Sequence, residues 1–310
     1  MLSYTKLSKK PDSFRTFTGL TVEEFDKLYS FVKDKYKEHE KNRLDRKNRK
    51  KSIGQGRKFD LDVKDRLLML LFYYRSYASY ELTGYLFDLN DSNVCRNIRY
   101  LEPLVKACIP LPEKIHKQTK KIGNIEELLE IFPEMKAFLD ATEQEIPRPK
   151  NKRRRKSHYS GKKKKHTVKT QVLVNKNGLI IHKSNYHRGR EHDYNVWKKT
   201  NPFIPEDVVV GMDSGYQGIK DDYPDIKSHL PIKKTRGRRL TEKARRHNKK
   251  LGKERIIVEH VISRIKKFRI IGEEFRNRLI SYNTKTSIVT GLINFKLMIK
   301  NNQDVTNFVV

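Results

Sequence analysis

Apolar residues recur at helical spacing through most of the first hundred residues. Thr21 and Glu24 have the spacing of a capping box, and the apolar positions after them predict an amphipathic helix. The same spacing predicts a longer helix over residues 62–74 and a shorter one over 79–86. The N-terminal part of the chain is therefore predicted to be all-α.

The next segment combines a turn with a helix that carries polar side chains. Residues 88–91 form the predicted turn, Ser92 caps the following helix, and Pro103 should end or kink it. Arginine and asparagine side chains suit the edges of guanine and adenine. This arrangement predicts a helix-turn-helix, and a plain helical bundle is the alternative. Its expected DNA contacts are Asn93, Arg96, Asn97 and Arg99.

From residue 137 onwards the pattern predicts strands. An apolar run over 137–139 ends on the carboxylate of Asp140. Residues 167–174 and 179–182 also have strand character, and Asn177-Gly178 between them is a strong hairpin signal. These three segments together predict three antiparallel strands.

Another apolar run, at residues 208–210, predicts a buried strand that leads to Asp213. Burying a carboxylate there is costly unless a positive group meets it, although Asp213 could instead cap the next helix. Before this strand, His192-Asp193 opens a short helix, and Asp193 is its predicted N-cap. A role for Asp193 as a fourth metal ligand is the less favoured alternative.

The C-terminal third is predicted to be mostly helical. Residues 226–232 could form one more short strand, and 235–253 form a basic connection with helical character. An apolar stripe predicts a helix over 254–268, and 284–299 form a last amphipathic helix.

This order of elements predicts the fold class. Three antiparallel strands, a helix, a strand and later helices are the order of a ribonuclease-H-like α/β domain. We therefore predict an α/β chain with an N-terminal all-α helix-turn-helix domain. The predicted segments are an N-terminal helix and basic linker over 1–57, the helix-turn-helix domain over 58–130 and the ribonuclease-H-like catalytic domain over 131–310.

Charge indicates the partner. The chain has 69 lysine and arginine residues against 37 aspartate and glutamate residues, a formal net charge of +32. Such an excess points to a polyanion, for which nucleic acid is a better candidate than a membrane surface. No apolar run has membrane-spanning length, and no signal peptide is expected. The two cysteines form no CxxC pair, which fits a reduced intracellular compartment.

Two basic segments are candidates for contact with the DNA backbone. Residues 41–57 form a basic linker, and a solvated tether is the alternative for it. Residues 148–166 lie between two predicted strands and are interpreted as a hairpin loop. The expected contacts in this loop are Arg153, Arg154, Lys163 and Lys164.

Any catalytic metal should have oxygen ligands, because the histidines and cysteines show no zinc-site spacing. Oxygen ligands suit Mg²⁺, with Mn²⁺ as an alternative. Asp140 and Asp213 at the ends of two strands of a ribonuclease-H-like sheet, with Glu259 on a helix packed against it, could hold two such ions about 4 Å apart, which suits phosphodiester chemistry. Glu143 competes with Asp140, but the two should face opposite sides of a regular strand.

Five stretches carry a family resemblance: Leu139–Glu143, Tyr159–Thr167, His192-Asp193, Asp213–Gly218 and Arg255–Lys266. Together they resemble the DDE transposases of the insertion-sequence-five type, which are related to Harbinger-like endonucleases. The resemblance implies a catalytic and metal-binding triad of Asp140, Asp213 and Glu259, with Arg255 and Lys266 near the DNA. The wider group has a tyrosine three positions before this arginine, where this chain has Gly252.

The function implied is that of a transposase. It would bind the terminal inverted repeats of its element and cleave DNA with metal-activated water. The exposed 3′-hydroxyl would then attack target DNA. A homodimer or larger assembly on double-stranded DNA is expected, located with the nucleoid in the cytoplasm if the host is bacterial. The alternatives are an inactive or domesticated DNA-binding descendant of such an enzyme and a basic structural or RNA-binding protein.

Overall fold

The computed structural model describes residues 1–45, 52, 58–234 and 239–308. Most of the predicted basic linker, and residues 235–238 of the predicted basic connection, lie outside these residues. Two compact units are present. The first comprises Met1–Pro110, Lys267–Ile270 and Gly291–Val310, and the second comprises Leu111–Lys266 and Ile271–Thr290. The predicted division into three segments stays a prediction.

The N-terminal part of the first unit is helical, as predicted. Its helices are α1 (Tyr4–Leu7), α2 (Pro11–Thr18), α3 (Val22–Leu44), α4 (Val63–Ser76), α5 (Tyr80–Phe87) and α6 (Asp91–Ala107). The capping box at the start of α3 is confirmed, because Thr21 Oγ1 accepts from the Glu24 N–H at 3.2 Å and Glu24 Oε2 accepts from the Thr21 N–H at 2.8 Å. Helix α4 is buried along most of its length and forms the centre of this unit.

The turn between α5 and α6 depends on a glycine. A Cβ atom added to Gly84 would lie 2.3 Å from the carbonyl oxygen of Leu89, closer than any side chain allows. The Leu89 N–H donates to the Gly84 oxygen at 2.9 Å, and Asp88 has the left-handed φ of 57°. These contacts hold the two helices in the tight succession that a helix-turn-helix requires.

Helix α6 differs in two details from the prediction. Its N-cap is Asn90 rather than Ser92, and the Asn90 side chain accepts from the Ser92 N–H at 3.0 Å. The helix does not end at Pro103 but continues to Ala107. A proline inside a helix removes one backbone hydrogen bond. Burial of Leu101 and Leu104 on either side of it offsets that loss.

The second unit contains a mixed sheet of seven strands. They are β1 (Lys136–Glu145), β2 (Tyr159–Ser160), β3 (Lys165–Asn175), β4 (Ile180–Lys183), β5 (His187–Arg188), β6 (Val209–Gly211) and β7 (Ser228–His229). Their order is β2-β3-β1-β6-β7, and β4 and β5 also pair with β3. Strands β1, β3 and β4 are the three antiparallel strands predicted. This sheet is consistent with a ribonuclease-H-like fold and confirms the predicted fold class.

Helices flank these strands along the chain. They are α7 (Pro112–Thr119), α8 (Ile125–Ile131), α9 (Lys152–His158), α10 (Asp193–Thr200), α11 (Ile219–Asp222), α12 (Glu242–Lys266), α13 (Arg269–Gly272) and α14 (Tyr282–Lys300). Short 3-10 turns lie at Pro133–Met135, Ser214–Tyr216, Leu279–Ser281 and Thr306–Phe308. Among the described residues, no helix is long and apolar enough to cross a membrane.

Helix α9 corrects the prediction of a hairpin loop over residues 148–166. Asn151 Oδ1 caps the helix by accepting from the Arg154 N–H at 3.1 Å, and the buried His158 anchors its end. The basic residues of this segment are therefore presented from a helix and from the short turn between β2 and β3. The strand predicted over 226–232 is reduced to the two residues of β7.

Helix α12 corrects a second boundary. The predicted basic connection and the predicted helix over 254–268 form one continuous helix over the described residues Glu242–Lys266. Its apolar face extends further towards the N-terminus than the stripe used for the prediction, because Ala244 and Leu251 are also buried.

Candidate active site

The pairing of β1 with β6 places Asp140 and Asp213 at the same height along the two strands. The two strands run parallel, and their last registered pair is Phe138 with Gly211. Each aspartate lies two residues beyond that pair. Parallel strands end at the same edge of a sheet, where ligands bind in open α/β folds.

A cleft of about 210 Å³ lies at this edge, and we call it the acid cleft. It is lined by the carboxylates of Asp140, Glu143, Asp193, Asp213 and Glu259. Four lysines, Lys162, Lys163, Lys169 and Lys266, also line it, together with Ala141, Thr142 and Ile262. The three acids predicted to act together therefore share one cleft.

The carboxylates face the cleft without a closed ligand set. Within the described parts of the chain, no three histidine, cysteine, aspartate or glutamate side chains are arranged to hold a metal ion. Glu259 is largely exposed on α12. The acids therefore share a space, and the carboxylates would have to draw together around a cation.

Gly215 keeps part of this space open. A Cβ atom at Gly215 would lie 2.8 Å from Asp213 Oδ1 and 3.7 Å from Asp193 Oδ2, so both carboxylates face the position that a side chain would fill. Asp213 also accepts a hydrogen bond from the Gly215 N–H and caps the 3-10 turn, which was the alternative role for this residue.

Burial and the neighbouring carboxylates both disfavour the charged form of Asp140. Burial raises the pKa of the Asp140 carboxyl, Asp213 and Asp193 raise it further, and the hydrogen bond from the Ala141 N–H and the charge of Arg255 lower it. Clustered carboxylates repel one another and offer only oxygen atoms as ligands. Such a ligand set suits a hard divalent cation. The residues of the acid cleft therefore fit Mg²⁺ or Mn²⁺.

Asp193 does not have the predicted role of N-cap. His192 is the N-cap of α10, with its ring nitrogen 3.4 Å from the Tyr194 N–H, and Asp193 is the first helical residue. The Asp193 side chain turns instead towards Lys169, whose Nζ lies 2.7 Å from Asp193 Oδ1. An ion pair with a buried lysine outweighs a capping hydrogen bond that another side chain can supply.

Lys169 is the residue of this site that the sequence interpretation missed. It is buried on β3. Its Nζ lies 3.7 Å from Glu143 Oε1 and donates to the Glu191 carbonyl oxygen at 2.7 Å. The available signal was a lysine in the middle of a strand that is buried along nearly all its length. Lysine is almost never fully buried unless it is paired.

Glu143 also departs from expectation, because it lines the acid cleft together with Asp140. Strand β1 does not end between them. It pairs with β6 only at residues 136–138, however, so among the described strands its later residues have a neighbour on one side only. Side chains of both faces can reach a cleft at such an open edge. Glu143 is engaged there by Lys169 and by the Thr167 hydroxyl, which donates at 2.8 Å.

The two cations that the resemblance places near the DNA, Arg255 and Lys266, lie beside the acids. Arg255 Nη2 is 3.5 Å from Asp140 Oδ2, and Lys266 lines the acid cleft. Burial lowers the pKa of Lys266, and the charge of Lys163 lowers it further. The arginine and the lysine of α12 therefore lie beside the acids, on the same helix as Glu259.

Comparison with known proteins decides the family. Residues 139–294 match the family described as DDE superfamily endonuclease, and residues 59–111 match its helix-turn-helix. The chain belongs to the DDE superfamily of endonucleases. It is 31% identical over 289 residues to the probable transposase for insertion sequence element IS702 of Microchaete diplosiphon, covering 93% of this chain and 95% of that protein. No solved structure matches.

The helix-turn-helix of this DDE superfamily member presents three of its four predicted contact residues. Arg96 and Arg99 are exposed, and Asn93 is half-buried with its side chain accepting from Arg96 Nη1 at 2.9 Å. Asn97 is buried instead. The Asn97 Oδ1 accepts from Arg66 Nε at 2.6 Å, and the Asn97 Nδ2 donates to the backbone carbonyl oxygen of Asn93 at 2.9 Å. The expectation that Asn97 contacts DNA is therefore replaced by an internal structural role.

The second group of predicted DNA contacts is exposed. Arg153 and Arg154 lie on α9, and Lys163 and Lys164 lie in the turn between β2 and β3. Lys163 also lines the acid cleft. The turn therefore places positive charge at the rim of the acid cleft.

Proposed function

We propose that this chain is a transposase that binds the terminal inverted repeats of an insertion sequence and catalyses metal-dependent strand cleavage and strand transfer. The observation that carries the proposal is the convergence of Asp140, Asp213 and Glu259 on one lysine-rimmed cleft. Membership in the DDE superfamily and the likeness to a probable insertion-sequence transposase support it.

Asp140, Asp213 and Glu259 would hold Mg²⁺, or Mn²⁺, as a pair of ions. A bound pair activates the attacking oxygen and stabilises the leaving one. The chain itself positions the substrate. Lys163 and Lys266 would neutralise the phosphate charge at the cleft, and Arg255 holds the Asp140 carboxylate in place. No covalent enzyme intermediate is needed.

The exposed arginines of α6 would select the repeat by contacts in the major groove. A helix of this kind reads base edges while the basic segments contact the DNA backbone.

Two ends of an element must be held together for transposition, so we propose a dimer or larger assembly on DNA. We also propose that it is located with the nucleoid in a bacterial cytoplasm. Sedimentation with repeat DNA should show two copies of the chain per pair of ends.

Substitution of Asp213 tests the proposal. We expect Asp213→Asn to reduce metal-dependent cleavage of repeat-containing DNA about a thousandfold, which corresponds to about 4 kcal/mol. Binding of the same DNA, measured by fluorescence anisotropy, should be unchanged. Asp225→Asn is the matched control, because Asp225 is exposed and does not line the cleft.

Cleavage at near wild-type rate in Asp213→Asn would exclude the proposed metal centre. If the unmodified chain binds repeat DNA but never cleaves it with Mg²⁺ or Mn²⁺, the chain is an inactive DNA-binding descendant of such an enzyme.

A further inference from the structure

A second cleft, of about 900 Å³, lies beside the turn between β2 and β3, and we call it the basic cleft. Five cationic side chains line it: Arg148, Lys152, Arg155, Lys156 and Arg190. No acidic side chain is among the described residues that line it. A cavity with five cations and no counter-charge of its own suits a polyanion.

The cationic lining is held in place by the fold. Arg155 donates from Nε to the Pro149 oxygen at 3.3 Å and from Nη2 to the Lys150 oxygen at 3.0 Å, which fixes the guanidinium and leaves further donors available. The Arg190 N–H donates to the Ser157 oxygen at 3.3 Å. These bonds fix the plane of one guanidinium and the backbone that carries the other.

Gly189 is what allows Arg190 to reach this position. A Cβ atom at Gly189 would lie 1.9 Å from Thr167 Oγ1 and 2.7 Å from the Thr167 carbonyl oxygen, so only glycine can approach β3 this closely. The cations also act on the histidine that lines the cleft. Burial lowers the pKa of His166, and the charges of Arg148 and Arg155 lower it further.

An aromatic ring distinguishes the basic cleft from a simple phosphate site. The Tyr159 side chain lines the cleft and is 42% exposed, and its ring contacts His166 edge to face with the centroids 5.6 Å apart. A duplex hides its base faces inside the stack and offers a protein mainly phosphates and groove edges. A ring among cations is the combination that binds single strands, where each base has a free face.

The cleft also adjoins the candidate active site. Gly161 lines the basic cleft, and the next two residues, Lys162 and Lys163, line the acid cleft. One strand of DNA could therefore pass from one cleft to the other across a single turn.

We propose that the basic cleft binds an unpaired nucleotide of the DNA strand next to the phosphodiester in the acid cleft, with the phosphate on Arg155 and Lys156 and the base against Tyr159. The inference rests on the proposed function, because it takes DNA as the ligand. It adds the prediction that this DNA is locally unpaired beside the site of cleavage.

Binding of two labelled DNAs by the full-length protein tests the inference. One is a blunt duplex, and the other is the same duplex with a five-nucleotide single-stranded extension. We expect Tyr159→Ala to weaken binding of the extended duplex about tenfold and of the blunt duplex less than twofold. Tyr159→Phe should bind both as the wild type does, because it retains the ring.

Phe203→Ala is the matched control, since Phe203 is also 42% exposed and does not line the basic cleft. It should change neither affinity. An equal loss for both DNAs in Tyr159→Ala, or no loss for either, would overturn the inference. The first result would mean a general backbone or structural role for the ring, and the second would mean no role.

The charges can be tested separately from the ring. Replacing Lys152 and Lys156 together with glutamine should flatten the salt dependence of binding to the extended duplex, by roughly 0.7 in slope for each lost single-strand phosphate contact. An unchanged slope would contradict the inference. These are binding measurements, so they can fail while Asp213-dependent cleavage stands, and an absence of cleavage would refute the proposed function alone.

Discussion

Arg66 in the first unit and Lys169 in the second are both buried cations, but their surroundings differ in kind. Arg66 is 1% exposed and donates to the neutral oxygens of Asn97 and Tyr36, at 2.6 Å and 3.1 Å. The ring of Phe59 lies 3.6 Å from its guanidinium carbon. Burial lowers the pKa of Arg66. This cation is held by packing, aromatic rings and hydrogen bonds to neutral oxygens, and the charge of Glu40 also favours its protonated form.

Lys169 has carboxylates as neighbours instead. It lies between Asp193 and Glu143, and both of those acids line the same cleft as Asp140 and Asp213. A buried cation with neutral hydrogen-bond partners indicates a structural core, whereas a buried lysine among clustered carboxylates indicates a site where like charges are held close together. The second arrangement is the one that should respond to a divalent metal ion.

The largest expected effect is that of Lys169→Met. Removing one partner from a buried ion pair leaves an uncompensated charge, and we expect a loss of about 3 kcal/mol in the free energy of unfolding. Because the acid cleft then carries more negative charge, Mn²⁺ should raise the melting temperature of this variant more than that of the wild type. Differential scanning calorimetry with and without Mn²⁺ measures both.

Lys176→Met is the control for Lys169. Lys176 is paired with Glu134 but its side chain is 43% exposed, and an exposed ion pair contributes about 0–1 kcal/mol. An equal Mn²⁺ response in the wild type and in Lys169→Met would show that Lys169 does not offset charge at a metal site.

The counterpart in the first unit is Asn97→Ala. This substitution leaves the buried Arg66 Nε without its acceptor, and we expect a loss of about 2 kcal/mol in the free energy of unfolding. The loss should be the same with and without Mn²⁺, because the described side chains that hydrogen-bond to Arg66 are neutral and do not suit a divalent cation. Chemical denaturation under both conditions checks this, and a clear metal response would remove the contrast between the two cations.

A smaller effect, of opposite sign, is expected for Asp140→Asn. The pKa of Asp140 is raised in the folded chain, so the folded state retains a proton that the unfolded chain has lost, and stability falls as the pH rises through that interval. The variant lacks this loss and should therefore be more stable than the wild type at pH 7. The advantage should disappear at a pH low enough to protonate the unfolded chain.

This measurement requires EDTA, because a bound metal would favour the ionised form. Asp225→Asn, at an exposed position, serves as the reference. A variant less stable than the wild type at pH 7 in EDTA would argue that Asp140 is satisfied by its neighbours rather than repelled by them.

The smallest expected effect concerns Arg96, which shares α6 with Asn97 but is exposed. Arg96→Ala should leave stability within about 0.5 kcal/mol of the wild type. If Arg96 contacts a base edge in the major groove, as proposed, Arg96→Ala should weaken binding of repeat DNA by about 1–3 kcal/mol and change binding of unrelated DNA much less. A fall in stability equal to that of Asn97→Ala would show that both side chains belong to the core.

The features that could be predicted from the sequence are those set by neighbouring residues. The capping box at Thr21, the hairpin at Asn177-Gly178 and the strands leading to Asp140 and Asp213 follow from local spacing and turn chemistry. The structure confirms them, and Gly178, for example, has the positive φ of 84° that the hairpin turn needs.

The features that could not be predicted depend on partners far along the chain. Asn97 has the right chemistry for a base edge, but its side chain accepts a hydrogen bond from Arg66, which lies 31 residues earlier in the chain. The contact between Lys169 and Asp193 likewise joins a strand to a helix. Neither of these long-range contacts leaves a periodic pattern in the sequence. Residue type and spacing therefore predicted a DNA contact for Asn97 and a helix cap for Asp193.

The continuity of α12 has a consequence for how this site can evolve and move. Helical rise fixes Glu259 about 6 Å along the axis from Arg255 and about 10 Å from Lys266. Because the helix has no break between them, none of the three residues can be moved alone. Any rotation or sliding of α12 that draws Glu259 inwards must carry Arg255 and Lys266 with it.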